Sequence, residues 1–133
     1  MTIALALILH PGNGTLLIAQ RKDGVHQGSL WEFPGGKCLA NEAPADCAVR
    51  ETREETGLNV AVLEAWPEIT HAYSDRVVTL YPFLCRAFTA DARPRESRRV
   101  LWVTPEELFN YPFPAANAPL LERLRDNPRG FTG

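Results

Sequence analysis

The amino-acid sequence predicts an α/β fold in which a mixed sheet lies between helices on both of its faces. Segments rich in β-branched and aromatic residues alternate with helical segments along the chain. An early tight turn indicates at least one antiparallel hairpin. The 133 residues, with 45% hydrophobic content, suffice for one core and are too few for two. We therefore expect a single domain over residues 1–133.

Two strands are predicted at the start of the chain. The apolar run from Ile3 to Leu9 is followed by turn residues from Pro11 to Gly14 and by a second run from Thr15 to Gln20, which is typical of a hairpin. The first run has no positively charged flank and no small-residue cleavage site, and it is far shorter than the roughly 20 residues that span a bilayer. We expect neither a targeting segment nor a membrane partner.

A helix is predicted from Pro44 to Thr56. Proline is favoured at the first position of a helix, and Gly57 suits the position just after its end. Before this helix, the segment from Trp31 to Lys37 contains one proline and two glycines, which permit a backbone path that other residues resist.

The second half of the chain is predicted to hold more strands than helices. Its β-rich segments are Leu58 to Trp66, Ile69 to Ser74, Val77 to Phe88 and Val100 to Val103. Pro82 cannot donate to a ladder, so it indicates a sheet edge or a bulge. The run from Thr104 to Glu107 has the form of a capping box, and Pro119 is expected to start a last helix.

Charge and cysteine content exclude several classes of protein. A net charge of −2 gives no basic surface for a nucleic-acid polymer, although a small anionic substrate remains compatible with it. The three cysteines are an odd number without a C-x-x-C pair, which argues against a disulfide framework and against a zinc site. This composition fits a cytoplasmic protein.

One side of the predicted helix is acidic. Glu51, Glu54 and Glu55 fall within an arc of about 100°, and the opposite side carries Ala45, Val49, Thr52 and Thr56. Like charges at positions 51 and 55 cost a few tenths of a kcal/mol on an exposed helix. Mg²⁺ prefers such carboxylate oxygens and would make the cluster favourable. Arg50 can pair with Glu54 and orient it. Taken alone, however, an acidic face is more commonly just a solvated surface.

The helix belongs to a longer motif that decides between these interpretations. Residues 36–58 match G-x5-E-x7-R-E-U-x-E-E-x-G-U, where U is an aliphatic residue, and such a match arises by chance on the order of once in 10⁸ windows. This motif resembles the Nudix box. Thr52 departs from the hydrophobic residue expected at its position. Its methyl group can still pack and its hydroxyl can bond back to the preceding turn, so the change is tolerable.

The resemblance implies an α/β/α sandwich fold and a hydrolase that uses Mg²⁺, with Mn²⁺ as an alternative ion. The implied metal ligands are the carboxylates of Glu51, Glu54, Glu55 and Glu96 and the carbonyl of Gly35. Arg50 would act with Glu51, Glu54 and Glu96 in catalysis, and Lys37 would contact phosphate. The group that takes the proton of the attacking water stays open between Glu51 and a residue outside the box, such as Glu96.

The sequence outside the box resembles the MutT branch of the family, whose members hydrolyse 8-oxo-dGTP. The resemblance lies in Glu32 to Lys37, in the pair Asp75-Arg76 and in the run from Phe113 to Pro119. It implies substrate contacts by Arg21, His26, Phe33, Arg76 and Asn117, with the Asn117 amide reading the oxidised base. The alternatives are structural. Phe33 would be a core aromatic, Asn117 a helix-entry residue, and Arg21 and His26 surface residues.

Three functions follow from these patterns. The first is conversion of 8-oxo-dGTP to the monophosphate and pyrophosphate, which keeps a miscoding nucleotide out of DNA. The second is a pyrophosphohydrolase for CTP or modified pyrimidine nucleotides, a related branch that tends to carry Asp at the position of Asn117. The third is a non-catalytic binding module, but such modules commonly lose box carboxylates, and all four glutamates are present here. We expect a monomer that acts on a small nucleotide.

Overall fold

Eight strands and two α-helices make up the part of the chain described by the structure, a computed structural model that covers residues 1–22 and 28–126. The strands are Thr2–Leu9 (β1), Leu16–Gln20 (β2), Trp31–Glu32 (β3), Gly35–Lys37 (β4), Val60–Ala65 (β5), Ile69–Ala72 (β6), Val77–Ala87 (β7) and Arg99–Val103 (β8). The helices are Pro44–Thr56 (α1) and Ala118–Asp126 (α2). Short 3₁₀ turns cover Glu107–Asn110 and Ala115–Asn117.

The strands form one mixed sheet. Its central order is β3-β2-β1-β7-β5, and β4, β6 and β8 pair with β1, β7 and β2 respectively. The β1 and β7 strands run parallel from Thr2 beside Thr79 to Leu9 beside Arg86, whereas the other pairs are antiparallel. The mixed sheet expected from the sequence is therefore confirmed.

Each face of the sheet is covered by a helix. The β1 strand alternates between two hydrophobic clusters, with Leu5, Leu7 and Leu9 on one face and Ala4, Ala6 and Ile8 on the other. The α2 helix packs Leu120 and Leu124 onto the first face. The α1 helix packs Cys47 and Ala48 onto the second, where alanine side chains in β1 leave room for it. The predicted sandwich is confirmed, and α1 is held against the centre of the sheet.

The local sequence signals place the helix ends well. The α1 helix begins at Pro44 and ends at Thr56, and Gly57 follows it with a φ of +78°. The predicted capping box is present, because the Thr104 N–H donates to Glu107 at 2.9 Å and the Glu107 N–H donates to the Thr104 hydroxyl at 3.2 Å. It opens a 3₁₀ turn. The last helix starts one residue before Pro119.

Pro82 does not lie at a sheet edge, so that alternative is wrong. The other predicted alternative, a bulge, lies nearby, where the pairing of β5 with β7 shifts register between Val62 and Glu64. On one side of β7, Pro82 is paired with Leu5 of β1. On the other side β5 ends opposite Phe83 and β6 begins opposite Leu80, which leaves Pro82 at the change of partner. Its carbonyl accepts a hydrogen bond from Trp66 N at 2.9 Å. The N–H and C=O of one residue face the same side of a strand. The backbone nitrogen of Pro82, which has no hydrogen to donate, therefore faces the segment between β5 and β6, where no ladder hydrogen bond is lost.

Thr52 is fully buried on the sheet-facing side of α1. Its hydroxyl has no hydrogen-bond partner among the residues that the structure describes, so the bond to the preceding turn that the sequence allows is not formed. The Thr56 hydroxyl makes that kind of bond instead, to the Thr52 carbonyl at 2.7 Å. Thr52 therefore contributes its methyl group to the core and leaves one polar atom unsatisfied.

Candidate active site

The β4 strand crosses α1 at very short range. A Cβ atom added to Gly36 would lie 2.5 Å from the Glu51 carboxylate, and one added to Gly35, whose φ is +157°, would overlap the Ala4 carbonyl oxygen. The Gly35 N–H also donates to the Glu55 carboxylate at 3.2 Å. Gly36 thus lets β4 approach the helix closely and Gly35 lets it approach β1, which accounts for the unusual path expected from the sequence.

Three of the predicted metal ligands converge beside this crossing. Glu51, Glu55 and Glu96 each place a carboxylate oxygen within 4.8 Å of the others. The first two lie one turn apart on α1, and Glu96 lies in the loop between β7 and β8. The backbone of Gly35, the fifth predicted ligand, is in contact with Glu55.

The loop that carries Glu96 is fixed to the end of α1. The last carbonyls of a helix have no partner within the helix. Here the Glu55 and Thr56 carbonyls accept hydrogen bonds from the backbone N–H groups of Arg95, at 3.0 Å, and Arg93, at 2.9 Å. The position of Glu96 is therefore set by backbone hydrogen bonds one residue away, on the same helix that carries Glu51 and Glu55.

The fourth predicted carboxylate ligand lies apart from this cluster. The Glu54 side chain is 49% exposed and accepts a hydrogen bond from Arg50 Nη1 at 3.1 Å, as the sequence predicted. Arg50 also binds Glu51 at 2.9 Å and contacts Glu42 twice, at 2.8 and 3.0 Å. One guanidinium thus connects all the box glutamates except Glu55, and it orients Glu51.

The pKa values reflect crowding of negative charge. Burial, reinforced by the nearby Glu32 carboxylate, raises the pKa of Glu55 to about 8. Burial also raises the pKa of Glu51, although Arg50 opposes the change. By contrast, hydrogen bonds from Arg50 lower the pKa of Glu42 to about 2. It is unfavourable for these neighbouring carboxylates to be ionised at the same time. A hard divalent cation prefers carboxylate oxygens as ligands, so the cluster is a suitable site for one.

A cleft leads from the carboxylate cluster past Arg21 and Glu32. Its far end is a cavity with a predominantly apolar lining, formed by Ile3, Leu5, Arg21, Glu32, Tyr73, Arg76, Val78, Leu80, Pro114, Ala116 and Asn117. Asn117 is 7% exposed. Its side-chain amide makes no hydrogen bond to any residue that the structure describes, so its polar atoms are available to a ligand in the cavity.

The other predicted substrate contacts fall in different places. Arg76 lines the cavity, with its guanidinium 5.4 Å from the Tyr73 ring centroid. Lys37 is exposed at the end of β4. Phe33 is 1% exposed and stacks on Phe113, with ring centroids 5.2 Å apart, so its observed contacts are those of a core residue. His26 lies outside the described residues.

Arg21 and Glu32 lie side by side in the middle of the cleft. Arg21 Nη1 lies 3.1 Å from Glu32 Oε2, and both side chains are about one-third exposed. The sequence predicted a role for Arg21 but not for Glu32. Glu32 lies between the buried Trp31 and Phe33, so the alternation of a strand predicts that its side chain points out of the core. The sequence does not predict how close Glu32 lies to the carboxylate cluster.

Comparison with known proteins places this geometry in a family. A model of the NUDIX domain matches residues 4–123. The chain belongs to the Nudix family. It is a Nudix hydrolase, and such enzymes act on small nucleotide substrates with a divalent metal ion. In the part of the chain that the structure describes, no helix is long and apolar enough to cross a membrane.

Two curated Nudix relatives have different names. A CTP pyrophosphohydrolase of Escherichia coli is 36% identical over 110 residues, which are 83% of this chain and 82% of the relative. An 8-oxo-dGTP diphosphatase of Haemophilus influenzae is 30% identical over 118 residues, 89% of this chain and 87% of the relative. A structure of MutT, from a study of the Aliivibrio salmonicida and Vibrio cholerae proteins, superposes with a TM-score of 0.74 at 28% identity, over 94% of this chain and 96% of that one.

Proposed function

We propose that this Nudix hydrolase converts 8-oxo-dGTP to 8-oxo-dGMP and pyrophosphate, and so removes a miscoding nucleotide from the pool. The location of the Asn117 amide carries the proposal. It lies in a mostly apolar cavity of about 240 Å³ at one end of the cleft, and the carboxylate cluster lies beyond the other end. Such a cleft can hold a base and a polyphosphate in one molecule.

The chemistry of the amide favours an oxidised purine. An amide offers one acceptor and two donors. The edge of 8-oxoguanine presents O6, which accepts, and N7–H, which donates, so the Asn117 side chain can satisfy both groups. Unmodified guanine has a bare acceptor at N7. One amide group would then be left unpaired, which costs about 1–3 kcal/mol in a buried site.

We assign Mg²⁺, with Mn²⁺ as an alternative, to the carboxylate cluster. Glu51, Glu55 and Glu96 would hold the ion together with the Gly35 carbonyl, and the family resemblance adds Glu54. A divalent ion bound there supplies positive charge to the phosphate oxygens and lowers the pKa of a coordinated water. The chain contributes carboxylates that are already gathered within 4.8 Å of one another.

The remaining polar residues position the substrate. Arg50 holds Glu51 in one orientation through the 2.9 Å contact. Lys37 and Arg21 supply positive charge for the phosphates from the end of β4 and from the middle of the cleft. The proton of the attacking water would pass to Glu51 or to Glu96, since both lie in the cluster.

A pyrimidine substrate is the second candidate. The CTP pyrophosphohydrolase relative has the higher identity of the two curated relatives, 36% against 30%. An amide can also pair with the amino group and ring nitrogen of cytosine. The two candidates therefore differ in base and share the same phosphate chemistry.

Base preference distinguishes the two candidates. We expect wild-type protein to have a higher kcat/KM for 8-oxo-dGTP than for dGTP or CTP, measured with Mg²⁺ by pyrophosphate release. Asn117→Ala should lose most of the preference for 8-oxo-dGTP over dGTP, a change of roughly 5- to 100-fold, because the selective hydrogen bonds are gone. Asn117→Asp should shift preference toward bases that present an amino group, because a carboxylate only accepts.

Two outcomes would move the protein out of the MutT-like assignment. One is wild-type protein that prefers CTP, and the other is an Asn117→Ala variant that discriminates as well as wild type. Neither outcome would affect its membership of the Nudix family.

We also propose that the enzyme is a cytoplasmic monomer. Cys38, Cys47 and Cys85 are free thiols, two of them buried, which fits a reducing compartment. Light scattering coupled to size exclusion should give the mass of one chain, and a mass of two chains would contradict the proposal.

A further inference from the structure

Glu32 lies where the two parts of the cleft meet. The polar part is a cavity of about 200 Å³ lined by Arg21, Lys22, Glu32, Glu55, Glu96 and Ser97. The mostly apolar part is the cavity of about 240 Å³ that contains Asn117. Both linings include Arg21 and Glu32. These two side chains therefore form the wall that a ligand must pass if it occupies both cavities.

The Glu32 carboxylate is held in place through only one of its two oxygens. Its Oε2 atom accepts a hydrogen bond from Arg21 Nη1 at 3.1 Å. Its Oε1 atom accepts no hydrogen bond from the residues that the structure describes, and the side chain is 27% exposed. The backbone is fixed as well, because Glu32 pairs with Ala19 in the β2–β3 ladder. Glu32 thus has an acceptor atom without a described hydrogen bond, in a side chain that lines both cavities.

The order of base, sugar and phosphates in a nucleotide determines which of these parts lies near Glu32. The sugar joins the base to the phosphates, so a nucleoside triphosphate with its base beside Asn117 and its phosphates beside Glu55 and Glu96 must place its sugar near Glu32. Sugar hydroxyls donate hydrogen bonds, and a carboxylate oxygen is a strong acceptor for them. We propose that Glu32 binds the 3′-hydroxyl of the substrate sugar and makes the enzyme select nucleotides that carry it.

Two other roles for Glu32 make different predictions. Glu32 is not among the three carboxylates whose oxygens lie within 4.8 Å of one another, and one of its oxygens is already bound to a guanidinium. A metal ligand or a purely structural ion pair would affect all nucleotides alike. A sugar-binding residue affects only those with the hydroxyl. The proposal rests on the proposed function insofar as the cleft holds a nucleotide, but it does not depend on which base is preferred.

The test compares two nucleotides with the same base. We expect wild-type protein to hydrolyse dGTP with a kcat/KM about tenfold higher than that for ddGTP, which lacks the 3′-hydroxyl, since a hydrogen bond to a charged group is typically worth that factor or more. Glu32→Ala should bring the ratio close to one, mainly by lowering kcat/KM for dGTP. Glu32→Gln keeps an acceptor of similar shape without the charge, so its ratio should be intermediate, and it guards against a folding defect in the alanine variant.

Asn117→Ala is the matched control. It removes a polar group from the same cleft and should change the preference between 8-oxo-dGTP and dGTP while leaving the dGTP to ddGTP ratio as in wild type. Glu32→Ala should show the reverse pattern. Equal losses on dGTP and ddGTP in both Glu32 variants would overturn the proposal, and so would a wild-type ratio of one.

The same design separates this proposal from the proposed function. If wild-type protein prefers CTP, the assignment to 8-oxo-dGTP fails, and the sugar ratio is then measured with dCTP and ddCTP. If instead 8-oxo-dGTP is preferred but the sugar ratio is one, only the Glu32 assignment fails.

Discussion

The two ends of the cleft are built in different ways. At the polar end, Glu51 and Glu55 come from one helix, and the backbone hydrogen bonds next to Glu96 are made to the end of that same helix. At the apolar end, the lining comes from β1, β7, the segment around Tyr73 and the 3₁₀ turn that holds Asn117. The polar end therefore depends on one short motif, and the apolar end depends on the tertiary fold.

This difference explains why the polar end can serve many nucleotide substrates, whereas the apolar end is specific to certain bases. The spacing of carboxylates on a helix is set by its backbone, so any chain with the motif repeats it. A cavity assembled from separate segments changes whenever one of them shifts or is substituted. We infer that phosphate chemistry is the constant property of this site and base preference the adjustable one.

The largest expected effect tests the polar end. Glu55→Gln should lower kcat by on the order of 10³-fold, because it removes a charged ligand where negative charge develops. Glu106→Gln, a change at an exposed residue outside the cleft, is the control and should stay within about twofold of wild type. Glu54→Gln should be as damaging as Glu55→Gln if Glu54 is a ligand. A loss below about tenfold would remove Glu54 from the ligand set.

A smaller effect is expected where the loop joins the helix. Arg95→Pro removes the N–H that donates to the Glu55 carbonyl, so Glu96 should lose its fixed position. We expect kcat to fall by roughly 10- to 100-fold with weaker Mn²⁺ binding, since small misplacements of catalytic groups cost that much. Arg95→Ala keeps the N–H and should behave nearly as wild type. Equal losses in both variants would show that the side chain, and not the hydrogen bond, is responsible.

Metal-free protein should be less stable at high pH. The pKa of Glu55 rises from its ordinary 4.5 to about 8 on folding, so the folded state keeps a proton that the unfolded state releases. The stabilisation is complete below pH 4.5 and is lost as the pH rises through 8. In EDTA, the free energy of unfolding should drop by at least about 1 kcal/mol between pH 5 and pH 8.5. Denaturant titrations of Glu55→Gln should show a smaller drop, and parallel curves would contradict the explanation.

The smallest effect lies under the helix, away from the cleft. Thr52→Val replaces an unsatisfied buried hydroxyl with a methyl group and should raise the free energy of unfolding by about 1 kcal/mol. Thr56→Val is the matched variant, since that hydroxyl bonds to the Thr52 carbonyl and to Leu58 N. It should lower stability by a similar amount. Both values come from thermal or urea unfolding, and a destabilised Thr52→Val would show that the hydroxyl has a partner in solution.

Much of the fold follows from local signals in the sequence. Pro44 and Gly57 fix the ends of α1 because their backbone preferences act at single positions. The edge alternative for Pro82 was wrong because an edge and a change of partner strand look the same from one strand. Only the positions of β5 and β6 distinguish the two cases, and those positions are tertiary.

The site divides in the same way. Helical periodicity groups Glu51, Glu54 and Glu55 on one arc, but it does not show from which side β4 approaches. In the fold, Gly36 lies against Glu51 and Gly35 N–H binds Glu55, whereas Glu54 is left exposed. Glu32 stands just before the motif in the sequence, but the motif gives it no role, and its closeness to Glu55 is a property of the folded sheet. Residues within the motif were therefore easier to predict than those across the cleft.

The parallel pairing of β1 with β7 also bears on the order in which the molecule folds. This pairing joins residues 2–9 to residues 79–86, and α1 lies in the segment between them. Closing so long a segment is slow compared with forming a helix or a hairpin. The α1 helix can form early, but the sheet against which it packs is incomplete until β7 arrives. Metal-binding capacity should therefore appear late in refolding, together with the central strand pair and after helical structure has been gained.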